Sequence, residues 1–569
     1  MKQQIVDPAE AERQRMLIRI RDEFAQCSIS PSYAALPVEE RMIAASDGVR
    51  LRTVLYRPAG REAVPVIVMR TCYPKNECIY RAMAQEYVKR GFAVVYQYCR
   101  GTGGSEGKWE PNVHERADGK DMLEWLCAQS WGASVGYFGS SYLALTGWAI
   151  ADIVPNKVKT MYLSHYGTHR FISAYKDGLF RHDILTAWTM ENAGFPIKAD
   201  YLESCLHRPQ WTVDEDLWGQ RIDWYREYLE SADSDAPYWG KGVWKDLKEI
   251  PTRVKIPICF VEAWYDHHLG SAIETWLSMP EETRRKSRFL IGAWDHSFEM
   301  RLQDRHGKNY WTEDYLRAFE WFYKILENKQ QPQGDVLLYT IGADCWSRRR
   351  ELRENDAAVK RLYLGRQADA LMLTEQIPQV SGTVTYRYNP EDPVPSHGGE
   401  ALLRTREEVG SLLQEPVVAR QDVISFVSEP LRAPLTVSGQ IRLQLTVASD
   451  ADDTAFMFKV MEVLPDGRSY NIRTGVTSLG YRNGSPHRVS YTPNTAVALL
   501  IDSWDISYQF QAGSRIRLDI YSSDFPQYAV HSNFAGEWAK QAEIKPAEQT
   551  IFWGLAYDSC LILPLGTEN

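Results

Sequence analysis

The chain has 569 residues, of which 44% are hydrophobic and 24% charged, with a formal net charge of -9. That length exceeds what one hydrophobic core serves, so two or three domains are expected, and the composition is that of an ordinary globular protein. The negative balance gives no electrostatic footing for nucleic acid. No apolar run approaches the ~20 residues of a membrane helix, which excludes a membrane-spanning protein of that kind.

In chain order, residues 1–40 are polar and partly helical in pattern, a lead-in arm suited to packing on a partner subunit. Arg41 to Ala44 and Val49 to Tyr56 flank Asp47-Gly48, a hairpin signal. Short apolar strands then alternate with helices: Val66 to Arg70, a helix over Ile79 to Arg90, Phe92 to Tyr98, a helix over Asp118 to Gln129, Ser134 to Phe138, Val158 to Ser164, Ile256 to Val261 and Phe289 to Gly292. This is the texture of a mostly parallel sheet covered on both faces. Residues 166–250 break it with Trp- and Tyr-rich helical segments, read as an inserted cap over the C-terminal edge of the sheet. From residue 335, after Lys329-Gln330-Gln331-Pro332, alternating strands separated by turn residues predict an all-β domain of sandwich or jelly-roll type through 569. The predicted organisation is therefore a mostly parallel α/β domain (41–165 and 251–330), a helical cap (166–250) and a C-terminal all-β domain of sandwich or jelly-roll type (335–569). Nine Cys at irregular spacing, without C-x-x-C, read as reduced thiols. With no apolar core near the N-terminus, they point to a cytoplasmic setting.

Trp131 to Ile150 carries the chemistry. A strand runs into Gly139-Ser140-Ser141, and an apolar helix starts at once. A Ser at such a corner stands clear of its neighbours, as in a nucleophile elbow. The literal pattern G-x-S-x-G falls instead on Gly103-Gly104-Ser105-Glu106-Gly107. There Lys108 to Pro111 follow and no apolar helix forms, so context selects Ser141. A Ser hydroxyl needs a base, and the base an orienting acid. Asp266 follows the strand Ile256 to Val261, and His296 follows Phe289 to Gly292, in the order Ser, Asp, His that this sheet type requires. Glu262 and Asp295 are further acids close by.

These stretches resemble the cocaine esterase and X-Pro dipeptidyl-peptidase type (CocE/NonD) of serine hydrolase. Arg70-Thr-Cys-Tyr-Pro-Lys75, Arg90-Gly-Phe-Ala-Val-Val-Tyr-Gln97, Gly136-Tyr-Phe-Gly-Ser-Ser-Tyr-Leu143, Trp264-Tyr-Asp266 and Ile291-Gly-Ala-Trp-Asp-His296 carry the likeness, with Tyr388 to Pro395 and Ser522 to Pro526 in the β half. The resemblance implies an α/β-hydrolase domain with an inserted helical cap and a C-terminal jelly roll, with Ser141 as nucleophile, Asp266 as acid and His296 as base. It also implies an oxyanion hole made by the Tyr142 N–H and the Tyr73 hydroxyl. Ala144 stands where the family has Gly, Tyr98 where it has Asp and Ala263 where it has Gly, which marks a divergent member.

The expected activity is cleavage of a small-molecule carboxylic ester or amide through an acyl-enzyme, with no cofactor and no metal. His165 and His169, spaced by four, lack a third ligand nearby; His267-His268 cannot both face one ion from a helix; Asp450, Asp452 and Asp453 read as a strand turn. Three other readings share these residues. Release of N-terminal dipeptides needs an acidic clamp for an α-amine, for which the cap offers Glu191, Asp200 and Glu203. Acyl transfer needs the same acyl-enzyme and another acceptor. A binding protein with an inert site would use the β domain alone. The family's habit of associating through its β and cap domains makes a homodimer one expected state.

Overall fold

The computed structural model describes residues 8–305, 307–309, 314–353, 358–400, 408–416 and 419–566. Its first sheet contains β1 (Glu39–Ala44), β2 (Arg50–Tyr56), β3 (Val64–Thr71), β4 (Ala93–Tyr98), β5 (Gly132–Ser140), β6 (Val158–Ser164), β9 (Ile258–Ala263), β10 (Arg288–Gly292), β11 (Asp335–Thr340) and β12 (Cys345–Arg349). β7 (Tyr175–Lys176) and β8 (Leu179–Phe180) form a separate small hairpin. The order across the large sheet is β1-β2-β4-β3-β5-β6-β9-β10-β11-β12. From β4 through β11 every pairing is parallel, while β1, β2 and β12 add antiparallel edges.

The apolar runs explain the layering. All eight residues of β3 are buried. Val66 and Val68 face one core with Met122, Leu126, Leu145 and Trp148, from helices α3 (Glu115–Cys127) and α4 (Tyr142–Trp148). Ile67 and Met69 face the other core with Met83 and Tyr87 of α2 (Glu77–Val88) and Ile20 and Phe24 of α1 (Pro8–Ala25). Alternate side chains thus feed opposite faces of one sheet, the requirement for a sheet covered on both sides. The lead-in helix α1 packs on its own chain, with Phe24 in edge contact with Phe319 at 5.7 Å.

Helices at Arg170–Ala174, Leu185–Asn192, Tyr201–Leu206, Val213–Asp216, Asp223–Glu230 and Gly242–Glu249 fill the interval between β6 and β9. Among them Trp239 and Trp244 pack at 6.1 Å, and Tyr228 lies 5.8 Å from Trp244, so these aromatics hold the segment together.

The strand expected at Val336 to Thr340 forms, but it pairs in parallel with β10 rather than opening the β domain. β12 then returns antiparallel beside it. Alternation identifies a strand and leaves its neighbour unspecified, so the large sheet extends past the composition change at 329–334. Beyond it, strands from Val359–Gln367 to Cys560–Pro564 form an all-β barrel. It closes because Leu435–Ser449 pairs with both Val497–Phe510 and Cys560–Pro564. The barrel lies against the site-bearing loops: Trp504 is so close to Gly270 that a Cβ there would lie 2.5 Å from the indole.

Candidate active site

Five neighbouring strands, β3, β5, β6, β9 and β10, each deliver a residue at the C-terminal end: Tyr73, Ser141, His165, Asp266 and His296. Ligand crevices of open α/β sheets form at this edge. Ser141 has φ +57° and ψ -126°, a conformation L-residues seldom adopt, and it is held there by its N–H donating to the Ser164 carbonyl at 2.9 Å. The turn closes tightly enough that a Cβ on Gly139 would sit 2.2 Å from the Leu143 carbonyl oxygen.

The Ser141 hydroxyl lies 2.9 Å from His296 Nε2, and His296 Nδ1 lies 2.5 Å from Asp266 Oδ2. This chain assigns the proton on Nδ1 to the Asp266 bond and leaves Nε2 to accept from the serine. The other Asp266 oxygen accepts the His268 N–H at 2.6 Å. Burial acts to raise the Asp266 pKa, but His296 and then His267 outweigh it and hold the carboxyl well below its usual range. Glu262, four residues earlier, behaves oppositely. Burial and the Asp266 charge push its carboxyl well above the usual range, so it is the neutral member of the pair.

The other nearby acid is also accounted for. Asp295 Oδ1 accepts the N–H groups of Ser297 and Glu299 at 2.8 and 3.1 Å, and Arg301 donates to Oδ2 at 2.8 Å. It shapes the loop that presents His296. That loop is stitched to the Asp266 loop by Trp264 N–H to the Gly292 carbonyl at 2.8 Å and Tyr265 N–H to the Trp294 carbonyl at 3.3 Å.

Tyr73 sits half-buried beyond the end of β3, its ring 6.2 Å from that of Tyr142. Its hydroxyl oxygen accepts the Trp188 indole N–H at 3.2 Å, which leaves the phenolic proton available to donate. Burial raises the Tyr73 pKa well above the ordinary value, keeping that proton in place. The Tyr142 N–H opens α4, in the first turn, where N–H groups have no intrahelical acceptor. The Tyr142 hydroxyl donates to buried Glu115 at 3.0 Å, and Glu115 in turn receives Arg70 Nη1 at 2.7 Å. Trp188 lies nearly parallel to the Tyr142 ring at 6.2 Å, and Trp109 and Trp224 approach it at 5.8 and 5.7 Å. The result is an aromatic cluster around Tyr73 and Tyr142, the residue that follows the serine.

Ser105 is placed elsewhere. Its hydroxyl accepts the Arg52 N–H and donates to the Tyr98 carbonyl, both at 2.9 Å, as a turn residue does. His169 precedes the short helix Arg170–Ala174 and, among the described residues, is not one of those whose ligand atoms converge with those of His165. His165 accepts the Trp294 indole N–H at Nε2 across 3.2 Å, and burial holds its pKa at about 3. Among the described residues His165, Asp266 and His296 present converging ligand atoms, within 4.8 Å of one another. Yet both nitrogens of His296 already bond to Ser141 and Asp266. His267 and His268 are buried, and His268 Nδ1 lies 2.9 Å from the Ser173 hydroxyl. Asp452 pairs with Lys545 at 3.1 Å, Asp453 with Arg488, and Asp450 accepts the Glu548 N–H at 2.8 Å.

Three contacts had no sequence signal. Trp188 was one aromatic among many in its segment. Glu115 was a polar residue at a helix start. Arg19 donates to the Ser297 carbonyl at 3.0 Å from 278 residues away, and no local pattern encodes such a pair.

Residues 47–298, which span all three members of the Ser141–His296–Asp266 chain, match the X-Pro dipeptidyl-peptidase (S15) family. Residues 324–562 match the X-Pro dipeptidyl-peptidase C-terminal non-catalytic domain. The chain is a serine hydrolase, similar to the cocaine esterase and X-Pro dipeptidyl-peptidase type. This hydrolase is 28% identical over 566 residues to the cocaine esterase of Rhodococcus sp. (strain MB1 Bresler), covering 92% of this chain and 97% of that protein. Its fold is shared with an α-amino acid ester hydrolase, at TM-score 0.79 and 21% identity over 95% of this chain and 97% of the other. An aminopeptidase from the marine sediment archaeon Thaumarchaeota archaeon shares it too, at TM-score 0.78 and 19% identity with the same two coverages. No helix among the described residues of this hydrolase is long and apolar enough to cross a membrane.

Proposed function

We propose that this serine hydrolase cleaves a small carboxylic ester through an acyl-enzyme on Ser141. The hydrogen-bonded chain from Ser141 through His296 to Asp266 carries the reading. Ser141 Oγ attacks the carbonyl carbon while its proton passes to His296 Nε2. Asp266 stays ionised and stabilises the imidazolium through Nδ1–H. The carbonyl oxygen, now anionic, receives hydrogen bonds from the Tyr73 hydroxyl and the Tyr142 N–H. His296 returns the proton to the leaving oxygen, and water repeats the sequence to release the acid. The cluster of Trp188, Trp109 and Tyr142 favours a flat apolar acyl group.

The helices of 166–250 act in this reading as the cap over the site. The dipeptidase reading has less support: Asp200 spends its carboxylate on capping its own helix, accepting the Glu203 N–H at 3.0 Å. Nine free cysteines suit a cytoplasmic setting. The test compares aryl esters of benzoate and acetate with Xaa-Pro anilides, and traps the acyl-enzyme by mass spectrometry. Benzoyl ester turnover with a benzoyl adduct on the Ser141 peptide supports the proposal. Faster turnover of Xaa-Pro anilides overturns it.

A further inference from the structure

A cavity lies between the 166–250 segment and the β barrel, and none of the residues of the Ser141 site lines it. The segment contributes His182, His207 and Arg208 to its wall; the barrel contributes Arg488, His531 and Trp538. Its free space is about 30 Å³, room for one or two waters or a compact ion, and it opens partly to solvent.

The charges around it do not balance. Arg488 is paired with Asp453, and His531 Nε2 lies 3.7 Å from the same carboxylate. His207 has Asp216 at 3.0 Å. Arg208 alone among these cations has no carboxylate and no hydrogen-bond acceptor among the described residues. Burial presses against its charge, pushing the guanidinium below its ordinary range, with only the Tyr388 hydroxyl opposing. A partly buried guanidinium carries five donors that need acceptors, and cations in protein interiors are normally paired. His182 is 1% exposed and ties Nδ1 to the Thr186 hydroxyl at 2.7 Å, leaving Nε2 as the nitrogen that can serve the cavity.

We propose that this cavity binds a compact oxyanion, a carboxylate or phosphate group, clamped by the Arg208 guanidinium with His182 Nε2–H as a second donor. The planar guanidinium fork matches two oxygens of either group. A bound anion would join the segment to the barrel at a point from which Leu185–Asn192, the helix carrying Trp188, departs. Because Ser141 does not touch the cavity, the site stands or falls apart from the proposed reaction.

The experiment is titration calorimetry and thermal melting of the full chain with sodium phosphate and, separately, sodium acetate, at ionic strength held constant with sodium chloride. A saturable heat and rise in Tm with at least one anion is expected, with affinity at least tenfold weaker in Arg208→Gln. Response to phosphate alone or acetate alone identifies the group preferred. No saturable response to either, or an equal response in Arg208→Gln, overturns the proposal. Should that variant not fold, crystals of the unaltered protein soaked in selenate decide: an anomalous peak bonded to Arg208 supports the site, and an empty cavity overturns it.

Discussion

The Trp188 indole N–H donates to the Tyr73 hydroxyl oxygen across 3.2 Å, tying the helix Leu185–Asn192 to the loop after β3. The bond fills one acceptor position on Tyr73 and leaves its own proton free to donate. Trp188→Phe keeps an aromatic ring and removes the donor. Losing such a hydrogen bond costs about 1 kcal/mol, roughly fivefold in kcat. Tyr73→Phe removes the proposed oxyanion donor itself and is expected to cost ~100-fold or more. Because Trp188 works through Tyr73, adding Trp188→Phe to Tyr73→Phe should change kcat little further. Steady-state kinetics of the two single variants and the double variant check this.

Arg19 reaches from α1 to the Ser297 carbonyl, next to the proposed base, and lies 5.0 Å above the Phe298 ring. The N-terminal helix thereby braces the His296 loop. Arg19→Met removes this bond together with the Glu23 ion pair at 2.8 Å, and should lower kcat by about threefold to tenfold while leaving KM near its original value. An unchanged kcat in a folded variant would detach α1 from the site.

Gly139 cannot carry a side chain. Its Cβ would stand 2.2 Å from the Leu143 carbonyl oxygen and 2.7 Å from Ala144 N, both backbone atoms that the helix holds in place. Gly139→Ala should therefore displace the elbow and lower kcat/KM by ~100-fold or more, since a shift of about 1 Å in a reacting group has that effect. Circular dichroism alongside the kinetics separates a moved serine from an unfolded chain.

Glu262 gives a pH signature. Its carboxyl is buried, its Oε1 accepts the Ala263 N–H at 3.1 Å, and burial with the Asp266 charge holds its folded pKa well above the ordinary value of 4.5. A raised folded pKa means that the unfolded chain releases this proton first. The stability it contributes is thus present below about pH 4.5 and lost as pH rises toward the folded pKa, by about 1.4 kcal/mol per unit. Glu262→Gln keeps the acceptor and removes the titration. Its Tm relative to the parent should climb from pH 4.5 to pH 7. Asp266 runs the other way: its depressed pKa contributes stability at neutral pH that disappears in acid. A Tm difference for Glu262→Gln that is flat in pH would show Glu262 ionised in the folded state.

The parallel sheet and the proposed triad were legible because both rest on local pattern. Apolar runs give β3 and β5, and a Gly-Ser-Ser corner before an apolar helix gives Ser141. Asp266 and His296 follow strands in a set order. The barrel was read less fully. Ser469–Ser478 is a polar-rich segment, Ser-Tyr-Asn-Ile-Arg-Thr-Gly-Val-Thr-Ser, yet all ten residues are buried. Arg473 within it is satisfied by Glu400 at 3.2 Å and the Asp505 carbonyl, partners far along the chain. Alternation fails where a strand is covered on both faces and its polar groups are paired at long range. Strand partners are invisible for the same reason, which is why β11 joined the sheet that the composition change had appeared to end.

The most direct measurement is labelling of the folded protein with a fluorophosphonate, followed by mass spectrometry of the modified peptide. The account predicts one adduct on Ser141 that is lost in His296→Ala and reduced by orders of magnitude in Asp266→Asn. An adduct on Ser105 or Ser140, labelling of Ser141 undiminished in His296→Ala, or no adduct on folded protein would contradict it.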